Sequence, residues 1–467
     1  MGSKIVCKKG KEKNVGLYTW LKELPCEIGM RKSVAVMLVA VFLMLSCLMV
    51  FEPVVVSAEL AENSWMLKAP MEDARGALGV AAVNGKIYAI GGSAQDARLE
   101  TTNEFLNINE EYDLATGTWT LKEPMPMPRA AFAIAVYQNK IYCIGGYVSS
   151  GTVTGVNEVY DPATDTWETK TPMPTARGFL TANVVNDKIY LIGGSPPQVV
   201  NINEEYDPAT DTWTTKAQRL AAVEPASAVF NNKIYQFGSW LQIYNPETNE
   251  WSYGASKPLS LGGVYGTAVT TGVFAPKQIY VIGENRVGIY NTENNTWTIA
   301  AQNTEHQKDF GVAVVNDLIY VVGGYYYDSS YAMTGLGVFK PLALNEQYTP
   351  FGYGTIPSQL AVVSPENIKY NSSNVPLTFT VNKPAAWIDY SLDGQDNVTV
   401  TGNTTLSGLP NGSHTIVVYA KDEFGNAATS ETINFTTEGT FPKTTLIIAT
   451  TVIAVATGIT IIYLKKH

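Results

Sequence analysis

The sequence predicts an all-β chain: six repeated units of short strands and tight turns, a smaller sandwich of strands after them, and one membrane-crossing helix near the C-terminus. Three observations carry this expectation. A short apolar run ending in glycine recurs six times, and a Tyr-Asp-Pro turn followed by Trp recurs between those runs. After Gly354 the repeat stops, and a long apolar run closes the text. Fixed-period self-similarity marks a repeat architecture, so it is settled before any local reading.

The first segment, residues 1–58, reads as an N-terminal extension and signal peptide. The run "SVAVMLVAVFLMLSCLMVF" follows Arg31 and Lys32 and leads to Val56 and Ala58, small residues suited to cleavage after Ala58. "MRKSVAVML" is an ordinary signal start, so translation from Met30 is one reading and translation from Met1 the other; an uncleaved anchor is the alternative to cleavage. Cys7, Cys26 and Cys47 fall in this segment, which leaves Cys143 alone in the mature chain and no internal disulfide. Over 467 residues, 32 basic and 42 acidic side chains give a formal charge of -10, so no basic field suits nucleic acid.

Residues 59–357 hold the repeat. "KIYAIGG", "KIYCIGG", "KIYLIGG", "KIYQFGS", "QIYVIGE" and "LIYVVGG" are short β-branched and aromatic runs bounded by turn residues, the pattern of buried strands. Glycine at their ends permits positive φ and close backbone approach. The second half of each unit, as in "NEVYDPATDTW" and "NEEYDPATDTW", reads as strand, type I turn, strand, with the Trp ring placed between neighbouring sheets. Double glycine, Tyr-Asp-Pro and Trp at this spacing resemble the kelch repeat, which implies one four-stranded propeller blade per unit. The fourth and fifth units depart from the pattern at Gly238-Ser239 and Gly283-Glu284.

Closure is expected from a missing piece. "NEQYTPFGYG" matches the third strand and turn of a unit, yet no Trp strand follows it. "NSWMLKAPMEDARG" at the front matches "DTWETKTPMPTARG", so the strand with Trp65 is expected to complete the last sheet and close a six-bladed kelch-type propeller.

One face of such a ring is elaborated by the connections after the glycine strands and after the Trp strands. Its expected ligand-binding rim comprises Arg75, Arg129, Arg177, Tyr147, Trp240, Tyr325, Tyr326 and Tyr327, residue types that bind acidic or sugar ligands by hydrogen bonding and stacking. The alternative for the arginines, each thirteen positions before a strand Tyr, is that they tie blades together through carbonyls and carboxylates. No catalytic residue, metal or cofactor is assigned. Kelch-like copper oxidases use two His, two Tyr and a modified Cys, whereas His306 is the only His in the repeat region. A kelch-type sialic-acid epimerase remains the enzymatic alternative, with Glu104, Glu158 and Glu204 as candidate acid/base groups.

Residues 358–438 alternate strands with turns at Asp393-Gly394 and Asn411-Gly412, and resemble the immunoglobulin-like sandwiches of prokaryotic surface proteins. Glycosylation tripeptides occur at Asn371, Asn397, Asn403, Asn411 and Asn434, with one in the repeat at Asn294. A linker at 439–443 precedes "TTLIIATTVIAVATGITIIYL", residues 444–464, which has about the 20 residues a helix needs to cross a bilayer. Lys465 and Lys466 place the tail, 465–467, in the cytoplasm. "EGTFPKTTLIIATTVIAV" with its basic end resembles the C-terminal anchors of archaeal surface proteins. The expected protein is a single-pass cell-membrane protein that presents its propeller to an external protein or glycan ligand and has no nucleic-acid partner.

Overall fold

The computed structural model describes residues 61–94, 105–148, 152–195, 200–221, 226–283, 286–302, 308–328 and 338–439. The expected signal segment, Glu104, His306 and the C-terminal apolar run lie outside these. The described chain is all-β, with one 3-10 turn at Leu259–Leu261. Among the described residues no helix is long and apolar enough to cross a membrane.

Six four-stranded antiparallel sheets follow one another. In the first, the strands run Gly79–Val83, Lys86–Ile90, Asn109–Asp113 and Thr118–Leu121, paired in that order. The next four occupy residues 133–170, 181–215, 226–253 and 264–302. The sixth takes Gly311–Val315, Leu318–Val322 and Asn345–Thr349 from the end of the repeat and its outer strand, Ser64–Leu67, from the front; Trp65 sits opposite Tyr348. The first strands of successive sheets touch in order, and that of the sixth returns to that of the first, so the sheets form a cycle.

The glycine-ended strands are buried because sheets cover both their faces. Ile87, Ala89 and Ile90 are sealed, as are Ile189, Leu191 and Ile192 two sheets further on. The second glycine of each pair is required by space as well as by backbone angle. Gly92 has φ +103, and a Cβ there would lie 2.8 Å from the Gly76 carbonyl oxygen; Gly146, at φ +107, would place one 2.8 Å from that of Ala130. The Asp-Pro turns are fastened locally: the Asp161 and Asp207 carboxylates accept the amides of Ala163 and Ala209, each 3.0 Å away.

The tryptophans differ from expectation in depth. All six are half-buried, each lying on the Tyr of the adjacent strand, as Trp167 does on Tyr160 at 5.1 Å between centroids. Five of the indole N–H groups cross to the preceding sheet's last connection, among them Trp119 to the Ala69 carbonyl and Trp213 to that of Thr171. The polar edge of the ring therefore stays near the surface while its face packs.

The second domain has two sheets sharing one core. Leu360–Ser364, Val375–Val381 and Thr404–Leu406 form one; Gly412–Asp422 and Ala385–Leu392 are central in the other. Val375, Leu377, Leu406, Ile416, Val418 and Phe435 fill the space between. This domain is seated on the end of the ring that carries the tight turns. The Gly354 amide donates to the Phe274 carbonyl at 2.7 Å, and Phe424 packs edge-on to Tyr353 at 5.5 Å. The Lys383 ammonium, with its side chain fully buried, meets Asp422 at 2.6 Å and the Ile356 carbonyl at 2.5 Å.

Candidate functional site: the loop face of the ring

In an antiparallel four-stranded sheet the first and third connections emerge at one end. The second connection, and the one leading to the next sheet, emerge at the other. The loop face is this second end, opposite the second domain. It was expected to display eight rim residues, and their placement divides them.

The three arginines are not on the rim. Arg75, Arg129 and Arg177 are each 0% exposed. Each sits on the connection arriving from the preceding sheet and points into the next one. Arg75 meets Glu110 at 2.5 Å and donates to the Ala89 carbonyl at 3.0 Å; Arg177 meets Glu204 at 2.5 Å and donates to the Leu191 carbonyl at 3.0 Å. Arg129 repeats the set with Glu158 and the Cys143 carbonyl. Burial lowers the pKa of Arg75 and Arg177, and the facing carboxylates oppose that shift. The pairs tie incoming connection to sheet, the alternative role the residues allow. A long side chain that finds a buried carboxylate and two carbonyls satisfies most of its donors inside; of the three, only Arg75 and Arg129 leave Nε without a partner among the described residues.

Glu158 and Glu204, candidates for acid/base work, are consumed by these pairs. Their counterpart in the first sheet is Glu110, which sequence reasoning passed over in favour of Glu104. The signal was the unit Asn-Glu-x-Tyr, which holds Glu110, Glu158, Glu204 and Glu346 at one position.

Two tyrosines are bridging groups. Tyr325, 1% exposed, donates its hydroxyl to the Ser93 carbonyl at 3.0 Å, and Tyr147, half-buried, donates to that of Ser195 at 2.9 Å. Their rings lie against Gly76 and Gly178, where any Cβ would collide with them.

Of the eight expected rim residues, those left exposed on this face are aromatic. Trp240, in the short connection of the fourth sheet, is 58% exposed and Tyr327 is 52% exposed. Tyr326 is half-buried. Tyr326 and Tyr327 stand on a hairpin, Tyr325–Asp328 with Val338–Pro341, where Tyr327 packs against Phe339 at 5.1 Å. The Lys308 ammonium lies 3.2 Å from the centre of the Phe339 ring. Phe105, Tyr147, Phe179 and Phe339 cluster with Tyr325 and the alanines 77, 130 and 131, giving this side of the face an aromatic floor. Among the described residues no group of three or more His, Cys, Asp and Glu is arranged to hold a metal ion. Cys143 is sealed, and burial pushes its thiol up to about 12, so it offers no nucleophile at neutral pH.

Comparison with known proteins agrees with the repeat reading. The family model described as the KLHDC2/KLHL20/DRC7 Kelch-repeats domain matches residues 77–284. An influenza virus NS1A-binding protein homolog of Xenopus laevis is 43% identical over 77 residues, 16% of this chain and 11% of that protein. An F-box/kelch-repeat protein of Arabidopsis thaliana is 34% identical over 105 residues, 21% of this chain and 26% of its own length. Halomucin of Haloquadratum walsbyi is 40% identical over 89 residues, 18% of this chain and 1% of that protein. The chain thus spans about a quarter or less of each of these relatives. The solved structure of YjhT aligns over 59% of this chain and 97% of its own, at 15% identity and a TM-score of 0.47. The repeated sheets and the family match over residues 77–284 together support a kelch-repeat protein.

Proposed function

We propose that the chain is a membrane-anchored surface protein whose loop face binds an external protein or glycan without converting it. In this reading the six sheets are a closed six-bladed kelch propeller, and the second domain is an immunoglobulin-like stalk. Residues 1–58 direct export, and residues 444–464 anchor the chain as a helix. The carrying observation is the division of the loop face. Its charged candidates are locked in buried pairs, while its exposed side chains include Trp240 and Tyr327, residue types that supply contact area and stacking rather than proton transfer. Naming of relatives as a protein-binding protein supports a protein among the ligands. The stalk docks at the turn end of the ring, so the loop face is turned away from the side where the chain continues toward its anchor.

The test uses the full chain in detergent, presented to a glycan array and to a panel of extracellular proteins, with mass analysis of whatever binds. Saturable capture of an unchanged ligand, lost in Trp240→Ala or Tyr327→Ala, supports the proposal. A chemically altered ligand overturns it in favour of a carbohydrate-active enzyme. Fractionation with added protease reads location: a chain in the soluble interior fraction overturns the anchored reading.

A further inference from the structure

We infer that Asn294, Asn371, Asn397, Asn403, Asn411 and Asn434 are acceptors for Asn-linked oligosaccharide, and that their placement coats the stalk and the turn end of the ring while leaving the loop face bare. The inference rests on the export reading above. It stands on how these six asparagines use their amides.

All six side chains are exposed. Where they bond to the protein, they do so through oxygen. Asn403 Oδ1 accepts the Phe379 amide at 2.9 Å, and Asn411 Oδ1 accepts that of Gly439 at 2.6 Å. Among the described residues no Nδ2 of the six donates to the protein. The asparagines of the ring interior do the opposite: Asn109 and Asn203 are sealed, and each donates Nδ2 to a carbonyl, of Glu123 at 3.1 Å and of Ala217 at 3.2 Å. The nitrogen that a sugar must reach is thus held inside at those positions and open to solvent at the six.

Asn294 shows the chemistry most directly. It lies in the turn between Arg286–Asn291 and Thr296–Gln302, and the Thr296 hydroxyl donates to its Oδ1 at 2.5 Å. A donor on the amide oxygen draws electron density from nitrogen and makes its N–H more acidic. In the transfer, Nδ2 attacks the anomeric carbon of an oligosaccharide carried on a lipid phosphate. The carbon–oxygen bond to phosphate breaks with its electron pair on the phosphate, and the displaced amide proton passes to the transferring enzyme's base.

The distribution is one-sided. Asn294 occupies a tight turn, at the end of the ring where the stalk docks, and the other five belong to the stalk. The tripeptide is absent from every loop-face connection. Sugar at these positions shields the polar stalk and keeps the aromatic face accessible.

The full chain isolated from its own membranes is digested and its peptides weighed. Sugar-sized increments are expected on the peptides carrying the six asparagines. In the variants, Thr296→Val is expected to lose the Asn294 increment and Thr296→Ser to keep it, with the same melting temperature. Protease added to intact cells separates the two readings. A chain cleaved from outside whose asparagines are all bare overturns the glycan inference alone. A chain protected from outside and bare overturns both.

Discussion

The Tyr348 hydroxyl donates to Asn63 Oδ1 at 2.9 Å across 285 positions of sequence, and the same oxygen accepts the Ala301 amide at 2.7 Å. One side chain thereby joins the sixth sheet to the fifth. The arrangement copies the internal seams: Asp211 takes the Tyr206 hydroxyl at 2.6 Å and the Thr171 amide at 2.9 Å, and Asn249 takes those of Tyr244 and Ala217. Asn63 has φ +53, so alanine there would add strain to the lost bonds. Asn63→Gly removes the bonds without that strain, and it is expected to cost about 1–3 kcal/mol, roughly one ordinary hydrogen bond or two. Urea unfolding measures it; an unchanged midpoint would mean the closing strand holds by pairing alone.

Arg129→Met leaves Glu158 buried without its cation and is expected to cost about 3–5 kcal/mol. The double variant Arg129→Met with Glu158→Gln restores much of this loss, because the uncompensated charge is gone. A double-mutant cycle on thermal or urea unfolding reads the coupling. A rim arginine would give the reverse pattern, lost ligand with stability kept.

The strands and turns were legible because their signals are local. Six glycine-ended runs and the Asx-Pro turns state their conformation within a few residues, and the absent Trp strand after "NEQYTPFGYG" pointed to the Trp65 strand that pairs there. The site was less legible because its partners are distant. Arg129 and Glu158 are 29 positions apart, so spacing from the nearest strand placed the arginine on a loop without revealing its direction. A signal did exist inside the repeat. The first three units carry both the Arg and the Asn-Glu of the third strand and the fourth and fifth carry neither, although the sixth keeps Asn345-Glu346 without the Arg.

His414 links stability of the second domain to pH. Its Nδ1 lies 2.7 Å from Asp393 Oδ2, and its Nε2 lies 2.8 Å from the Pro410 carbonyl oxygen. Both neighbours are acceptors, so the doubly protonated ring suits the site. Burial works to lower the His414 pKa, but the Asp393 and Pro410 hydrogen bonds and the Asp393 charge outweigh it, and the net direction is up. The folded-state value thus exceeds that of the unfolded chain. The stabilisation is fully present below the ordinary histidine pKa of about 6.5 and is lost as pH rises through the folded value. Unfolding followed from pH 5.5 upward should show this decline, and His414→Gln should flatten it. An equal slope in the variant would assign the decline to other groups.

Trp240→Ala and Tyr327→Ala separate recognition from folding. Both side chains are more than half exposed, so each change is expected to alter stability by about 0.5 kcal/mol or less while ligand capture falls. Paired melting and binding curves decide. A large loss of stability in either variant would make that ring a packing group.

Five of the sheets join their third and fourth strands by a tight turn, and in the sixth the corresponding place is a chain break, with the Asn63 amide 2.8 Å from the Thr349 carbonyl oxygen. The ring therefore does not distinguish its seam from its turns. Where translation enters the circle is a matter of gene order, and a circular permutant that bridges Thr349 to Asn63 and opens at another turn would describe the same object. In the present chain the second domain follows from Thr349, so a permutant opened at another turn would have to carry it from a different place.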